Sequence, residues 1–375
     1  MKEFISYRQS VFLLSMILPI TGHMLLLPSI FSLSGRDAWI AIVVTMPLGL
    51  LFGFVLFRLH TLHPSKTLVE MLEHGFGRII GKGLTVGLVA YFLYMLVITL
   101  YGLFDFIQVV FLPETPRWAI SIAFYMVVLY GIRVGIESVA RMSQPLVLLI
   151  IITGGSIGIA TIPVKDHSNL FPLFEHGWVP LLSGILVTTA FFGECVILLM
   201  LKLKKDYSAS KSLLLTNSVL IILVTIMFLG TVTSTLMIFG EQQVKNLEYP
   251  AQSVVRIVEF GFLERFDIYG IGVMVVGCVV RMSTFQMILN LGIRQWLGIN
   301  HKWWIHASIA VMVFVMAFKG ISNHRQFTEI LMTKYYPLTA IISVGLPILT
   351  WIVLEVKNKI NKGSSYSHDS RIRHK

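Results

Sequence analysis

The chain has 375 residues, 55% of them hydrophobic and 13% charged, with a formal net charge of +11 and a mean hydropathy of +0.79. Soluble globular domains carry about 25% charged residues, so these proportions exclude a soluble protein and make the bilayer the solvent of the fold.

A hydrocarbon core of ~30 Å takes about 20 predominantly apolar residues per helical crossing. Ten such runs lie end to end, at 9–32, 38–59, 83–111, 117–132, 135–162, 177–201, 210–239, 265–292, 303–318 and 336–356. The first follows Lys2 and Arg8 as a secretory signal would, but no small-x-small cleavage site follows and the apolar pattern resumes in MLLLPSIF. It therefore reads as a retained helix. Segment 60–82 is too polar to cross; Leu68, Met71, Leu72, Phe76 and Ile79 recur at helical spacing, which predicts an amphipathic helix on the membrane surface. Segment 241–264 has the same character after Pro250, a favoured first-turn residue. It is net acidic through Glu241, Glu248, Glu259 and Glu264, and is placed to cover the mouth of a cavity. Residues 1–357 thus form a single ten-helix transmembrane domain. The polar end, 358–375, is too hydrophilic to bury anything and is expected to be a disordered cytoplasmic tail. Cys195 and Cys278 fall inside apolar runs without metal-ligand spacing and read as small packing residues.

Ten crossings put both termini on one side. That side collects nineteen of the thirty Lys and Arg residues, the other side nine, and Arg141 and Arg281 lie within spans. The positive-inside bias places both termini in the cytoplasm. It accounts for most of the net charge without nucleic acid, and gives the cytoplasmic face an attraction for anionic membrane lipid.

Two spans are interrupted near mid-depth. Helix 1 reads SMILPITGHMLLLPSIF, where Pro19 and Gly22 oppose a continuous helix beside Thr21 and His23. Helix 6 reads LVTTAFFGECVILLM, where Thr188, Thr189 and Gly193 lead to Glu194. These are the first helices of two successive groups of five, and an odd number of helices per half makes the halves inverted. The expected fold class is all-α integral membrane, with ten transmembrane helices in two inverted five-helix repeats and broken helices 1 and 6. Backbone freed inside a membrane is tolerated only where protein or a wet cavity satisfies it. In inverted-repeat transporters such breaks mark the substrate site, while glycines that only permit close packing are the alternative.

Ionisable residues within spans cost about 2.5–3.5 kcal/mol each on insertion scales. Asp105 sits close to the outer boundary, where hydration is expected. Glu194 and Arg281 lie at matching depth, and Glu137 and Arg141 stand one turn apart near the cytoplasmic end of helix 5. Glu194, Arg281, Glu137 and Arg141 are therefore expected to form one polar cluster, acting as an inner gate or as a static brace between helices. A ligand pocket is expected above it, ringed by Thr21, Gly22 and His23, by Phe192, Gly193 and Glu194, and by Tyr94 and Tyr101, which lie seven apart on one face of helix 3. Hydroxyls, loose backbone and aromatic walls suit a small zwitterion or another small polar nutrient. The histidines are scattered without metal spacing, and neither a Walker A loop nor a nucleophile elbow is present, so no cofactor, metal or enzymatic activity is expected.

The stretches ISYRQSVFLLSMILPITGHMLLLP, GIRVGIESVARMSQPLVLL, NLFPLFEHGWVPLLSGI and YPAQSVVRIVEFGFLERFDIYGIGVMVV resemble the B subunit of spore germinant receptors, a spore permease-like branch of the amino acid, polyamine and organocation transporter superfamily. The resemblance runs from about residue 4 to 357, with GIESVAR and FGFLERFD its more specific parts. It implies a ten-helix inverted-repeat bundle in the inner membrane of the spore. It also implies a receptor A subunit and a C subunit lipoprotein as partners, with an amino-acid-like germinant sensed at the two breaks. The polar content of the helix 6 break is thin for that ligand. An ion-coupled secondary amino-acid transporter working through Glu194 is the alternative.

Overall fold

A computed structural model describes residues 4–64, 66–203, 209–258, 267–300 and 303–372. Of the features named above, Lys2, Glu259, Glu264 and the FGFLERF stretch lie outside the described residues.

The chain is almost wholly helical. It starts with a two-residue strand, β1 (Phe4–Ile5), and then α1 (Tyr7–Ile20), a π-helical stretch Thr21–Leu26 and α2 (Leu27–Ser34). α1 starts cleanly because Ser6 and Gln9 form a capping box, each satisfying the other's backbone N–H. Next come α3 (Ala38–Leu62), the short α4 (Leu68–Phe76), α5 (Arg78–Val110), α6 (Arg117–Val134) and α7 (Ile136–Ala160). α8 (Trp178–Gly193) passes into a 3₁₀ stretch, Glu194–Met200, and strand β2 (Lys202–Leu203), which pairs in parallel with β1. The remaining helices are α9 (Ala209–Val244), α10 (Pro250–Ile257), α11 (Asp267–Leu297), α12 (Trp303–Gly320), α13 (His324–Ile330), α14 (Tyr336–Thr339) and α15 (Leu346–Ile372), with π-helical stretches Leu331–Tyr335 and Ala340–Gly345 between the last three.

Nine stretches among the described residues are long and apolar enough to cross a membrane. One of them, Tyr7–Leu62, has 56 residues and would be about 84 Å long as a single rod. It instead turns at Gly35, whose φ of 54° is open mainly to glycine, and both of its arms pack against α8 and α9. Its two arms are each long enough to cross, which makes ten stretches of crossing length among the described residues. Leu51, Met126, Ile152, Val179, Ile226 and Val311 are each more than 60% exposed on the periphery, an apolar belt that fits lipid contact. This is a multi-pass membrane protein.

The segment 60–82 holds a surface helix as expected. α4 is fixed by a second capping box, Thr67 with Glu70, and its Leu68, Val69, Met71 and Leu72 are buried against the bundle. At the end of the chain α15 runs to Ile372, into the polar segment that starts at 358. Adding residues to a helix already nucleated in the bundle fixes one residue per hydrogen bond, so polar sequence can follow it out.

Both interruptions fall at the expected residues, but neither unwinds. Pro19 has no N–H to bond within α1, and the turn that follows widens to a π-helix at Thr21. α8 tightens to a 3₁₀-helix from Glu194 onward. Either adjustment keeps backbone groups paired, which a buried position in a membrane requires and an open coil would not supply.

Candidate functional site

Glu194 lies at the junction of α8 with the 3₁₀ stretch and is completely buried. Arg281, on α11, is equally buried and grips it with two nitrogens: Nη1 to Oε2 at 2.5 Å and Nη2 to Oε1 at 3.1 Å. The Thr21 hydroxyl, from the π turn of helix 1, donates to Glu194 Oε2 at 2.9 Å and accepts from Arg281 Nη1. Tyr335, at the end of the π stretch Leu331–Tyr335, donates its hydroxyl to Glu194 Oε1 at 2.7 Å. Thr99 Oγ1 on α5 accepts from Arg281 Nε at 2.9 Å, and the Phe285 ring lies 4.8 Å from the guanidinium. Three of these residues, Thr21, Glu194 and Tyr335, come from irregular helical turns. Such turns in otherwise regular helices are frequent at functional sites.

Chemically the site is a bidentate ion pair with every donor and acceptor filled, which is what makes burial of two charges tolerable. Removing either charge strands the other. A molecule carrying both a carboxylate and an ammonium could take the place of each partner in turn, and a singly charged or apolar molecule could not.

The expected four-residue cluster divides in two. Glu137 and Arg141 pair with each other at 2.7 Å, but the Arg141 side chain is 62% exposed, so it is no part of the fully buried pair. The direction in which the Arg141 side chain leaves its helix separates it from the buried pair. The pocket of sequence reasoning is also divided. Gly193 packs against Ser343 and Val344, and a Cβ on Gly22 would meet Phe228 at 3.0 Å, so the two breaks press on their neighbours without a gap. Phe192 is buried close to Gly49. Tyr94 and Tyr101 do share a face, but it packs on the last span, with ring centroids 6.2 Å from Tyr335 and 4.7 Å from Phe327 respectively.

Open space lies on the other side of helix 1. A cavity of about 700 Å³ is walled by α1, α7, α9 and α11, with Ala251, Gln252, Val254 and Val255 of α10 along one side. His23 reaches its wall, with Nδ1 2.7 Å from the Pro19 carbonyl and Nε2 2.9 Å from Thr231 Oγ1. The segment after Pro250 therefore borders a cavity as its position suggests. The π turn stands between that cavity and the ion pair, with His23 toward one and Thr21 toward the other.

Asp105 departs from its expected hydration. It is 2% exposed and accepts from the Tyr249 hydroxyl at 2.6 Å, with His324 Nδ1 at 2.7 Å. This triad ties the end of α5 to the residue preceding α10 and to the start of α13; Arg256 of α10 adds a bond to the Val110 carbonyl. Burial and the adjacent Asp105 carboxylate push the Tyr249 phenol well above its ordinary range, so it stays a donor. The connection covering this end removes the water that depth alone would have allowed. Tyr335 was not legible either, since KYYPLTAIISVG reads as an ordinary apolar span; its tyrosine pair next to Pro337 was the only signal.

A family model described as "Spore germination protein" matches residues 4–324. The chain belongs to this spore germination protein family. Among its relatives, spore germination protein XB of Bacillus anthracis is 27% identical over 70% of this chain and 74% of its own length. GerQB of Bacillus cereus is 25% identical over 88% of this chain and 90% of its own length, and protein KB of Bacillus subtilis strain 168 is 24% identical over 76% of each. Among solved structures, a Na⁺-coupled sialic acid symporter in a substrate-bound outward-open state aligns with a TM-score of 0.59 at 13% identity. It covers 92% of this chain and 78% of its own. That likeness establishes a transporter-type fold for this spore germination protein.

Proposed function

We propose that this family member is the nutrient-sensing B-type subunit of a germinant receptor in the spore inner membrane, with both termini cytoplasmic and its two five-helix halves inverted. Its partners on this reading are a receptor A subunit and a C subunit lipoprotein. Its ligand is an amino-acid-like germinant that divides the Glu194–Arg281 pair, the carboxylate going to Arg281 and the ammonium to Glu194. The observation that carries the reading is the buried pair itself, held by residues from three irregular turns on three spans. Thr21, Gly22 and His23, Phe192, Gly193 and Glu194, and Tyr94 and Tyr101 would then border the ligand in a conformation that opens the pair, with Glu137 and Arg141 near the inner gate. Any response to ligand requires different affinities for the closed and opened states.

A buried carboxylate next to helix interruptions also suits ion-coupled transport, which makes a secondary amino-acid transporter the second reading. Two experiments on the purified chain decide. Binding of amino acids, sugars and nucleosides should show a saturable amino acid that Gly193→Ala weakens; no saturable amino acid would sink the ligand class. Reconstitution in liposomes should show no ion-driven uptake; robust coupled uptake by the chain alone would replace the receptor reading with the transporter.

A further inference from the structure

The cavity beside helix 1 has a chemistry unlike that of the ion pair. Its long walls are α7 from Ile150 to Gly158 and α9 from Leu223 to Met237. The α9 wall is about 21 Å long at ~1.5 Å per residue, enough to run the ~15 Å depth of one leaflet in a ~30 Å core. Gly154, Gly155 and Gly158 on α7 and Gly230 on α9 line it, and none has an atom within 4 Å of where a Cβ would stand. Glycine weakens a helix relative to alanine, and at these four positions no close approach of a neighbour explains it. Ile151 and Ile226, beside them in the lining, are 40% and 62% exposed. The two helices thus leave a slot open sideways to lipid.

Polar groups stand at two places along it. Midway along the α9 wall His23 meets Thr231. At the α10 end stand Lys165, His167 and Gln252. Gln252 is 5% exposed, and its side-chain nitrogen has no acceptor among the described residues. Buried amide donors without a partner are rare and ask for one. Lys165 is half-buried and bonds the Gly158 carbonyl at 2.9 Å, close to the glycine wall.

We propose that this slot binds one acyl chain of an anionic phospholipid, the chain lying along the glycine faces of α7 and α9 and the headgroup accepting from Gln252 and pairing with Lys165. Three features select that occupant: the sideways opening, the leaflet-length apolar wall, and a cation with an unpartnered donor at the end where headgroups would stand. The chain would pass Pro19, Ile20 and His23, at the π turn whose Thr21 holds Glu194, so occupancy bears on the helix 1 interruption. The site stands whether or not Glu194 and Arg281 bind a germinant.

The test uses the full chain in phosphatidylcholine nanodiscs doped with phosphatidylglycerol carrying a photoactivatable acyl chain, with crosslinks mapped by mass spectrometry. Crosslinks should concentrate in 150–158 and 223–237, and unlabelled phosphatidylglycerol should displace the probe where added phosphatidylcholine does not. Gly155→Leu with Gly230→Leu, which enter open space, should cut labelling roughly tenfold or more, while the Gly155→Ala, Gly230→Ala pair leaves it close to the parent. Should the leucine pair not fold, Gln252→Leu and Lys165→Gln carry the test, each with a loss of roughly tenfold. Labelling spread evenly over α6 and α12, labelling unchanged by both the leucine pair and the headgroup-end substitutions, or displacement by phosphatidylcholine as effective as by phosphatidylglycerol would overturn the site and leave annular lipid only.

Discussion

Replacing Glu194 by glutamine keeps the shape of the side chain and removes its charge. Four hydrogen bonds converge on the carboxylate, two of them from Arg281, and both side chains are fully buried. The guanidinium cannot shed its proton, so Glu194→Gln leaves a cation in the core with neutral neighbours alone, among them Thr21, Thr99, Met95 Sδ and the Phe285 ring. Breaking a buried pair in this way costs about 3–5 kcal/mol. Arg281→Met should cost less, about 1–3 kcal/mol, because methionine fills the space without charge, Thr21 and Tyr335 still donate to the carboxylate, and a stranded carboxyl can be neutralised by a proton. The double variant should resemble Arg281→Met, giving a coupling energy of about 3–5 kcal/mol, the size of the Glu194→Gln effect itself. Denaturant titration in detergent, followed by tryptophan fluorescence, measures all four corners of the cycle. A Glu194→Gln protein within about 0.5 kcal/mol of the parent, or single effects that simply add, would refute the coupled pair.

Gly193→Ala drives a methyl into Ser343 and Val344 and should lower the melting temperature, whereas the same change at Gly155, which meets nothing within 4 Å, should raise it slightly or leave it; equal effects would contradict the packing. Asp105→Asn weakens the tie among α5, α10 and α13, so amide exchange in α10 should speed up about tenfold relative to α5. Exchange unchanged in α10 would show that Asp105 does not hold it. His63 and His74 stack edge-on near the α4 end, and desolvation, Lys66 and each protein's remaining neighbours, among them His74 for His63 and Lys357 for His74, hold both below the ordinary imidazole value of 6.5. Their neutral forms favour the fold, a contribution complete above pH 6.5 and lost as pH falls through their lowered values. Melting temperature should therefore fall between pH 7.5 and about 5, and His63→Gln with His74→Gln should flatten that fall; an unaltered profile would dismiss the pair.

The crossings were legible because twenty apolar residues in a row have few other fates, and the capped α4 because its apolar spacing differs from that of a span. The helix 1 and helix 6 interruptions were legible from Pro19 and Gly193, residues that disturb a helix wherever they stand. Their form was not, since a π turn and a 3₁₀ turn are settled by which carbonyls need partners in the folded bundle. Counting residues brought Glu194 and Arg281 to one depth, and they meet. Glu137 and Arg141, placed near the cytoplasmic end of helix 5, do not join them, because position along a helix does not say which way a side chain leaves it, and Arg141 leaves toward the surface. Asp105 was misjudged for a related reason: depth predicts water only if no other segment, here Tyr249 and His324, closes over it. The lipid-facing slot left no mark beyond glycines that packing does not need.

On the proposed reading a zwitterion replaces each partner of the Glu194–Arg281 pair. Calorimetric titration of the chain in nanodiscs tests it most directly, with the amino acid that binds and with its analogues lacking the carboxylate or the ammonium. Saturable binding by the zwitterion alone is expected, weakened roughly tenfold or more by Arg281→Met and by Glu194→Gln. Equal affinity for the zwitterion in the parent and in both variants would contradict it.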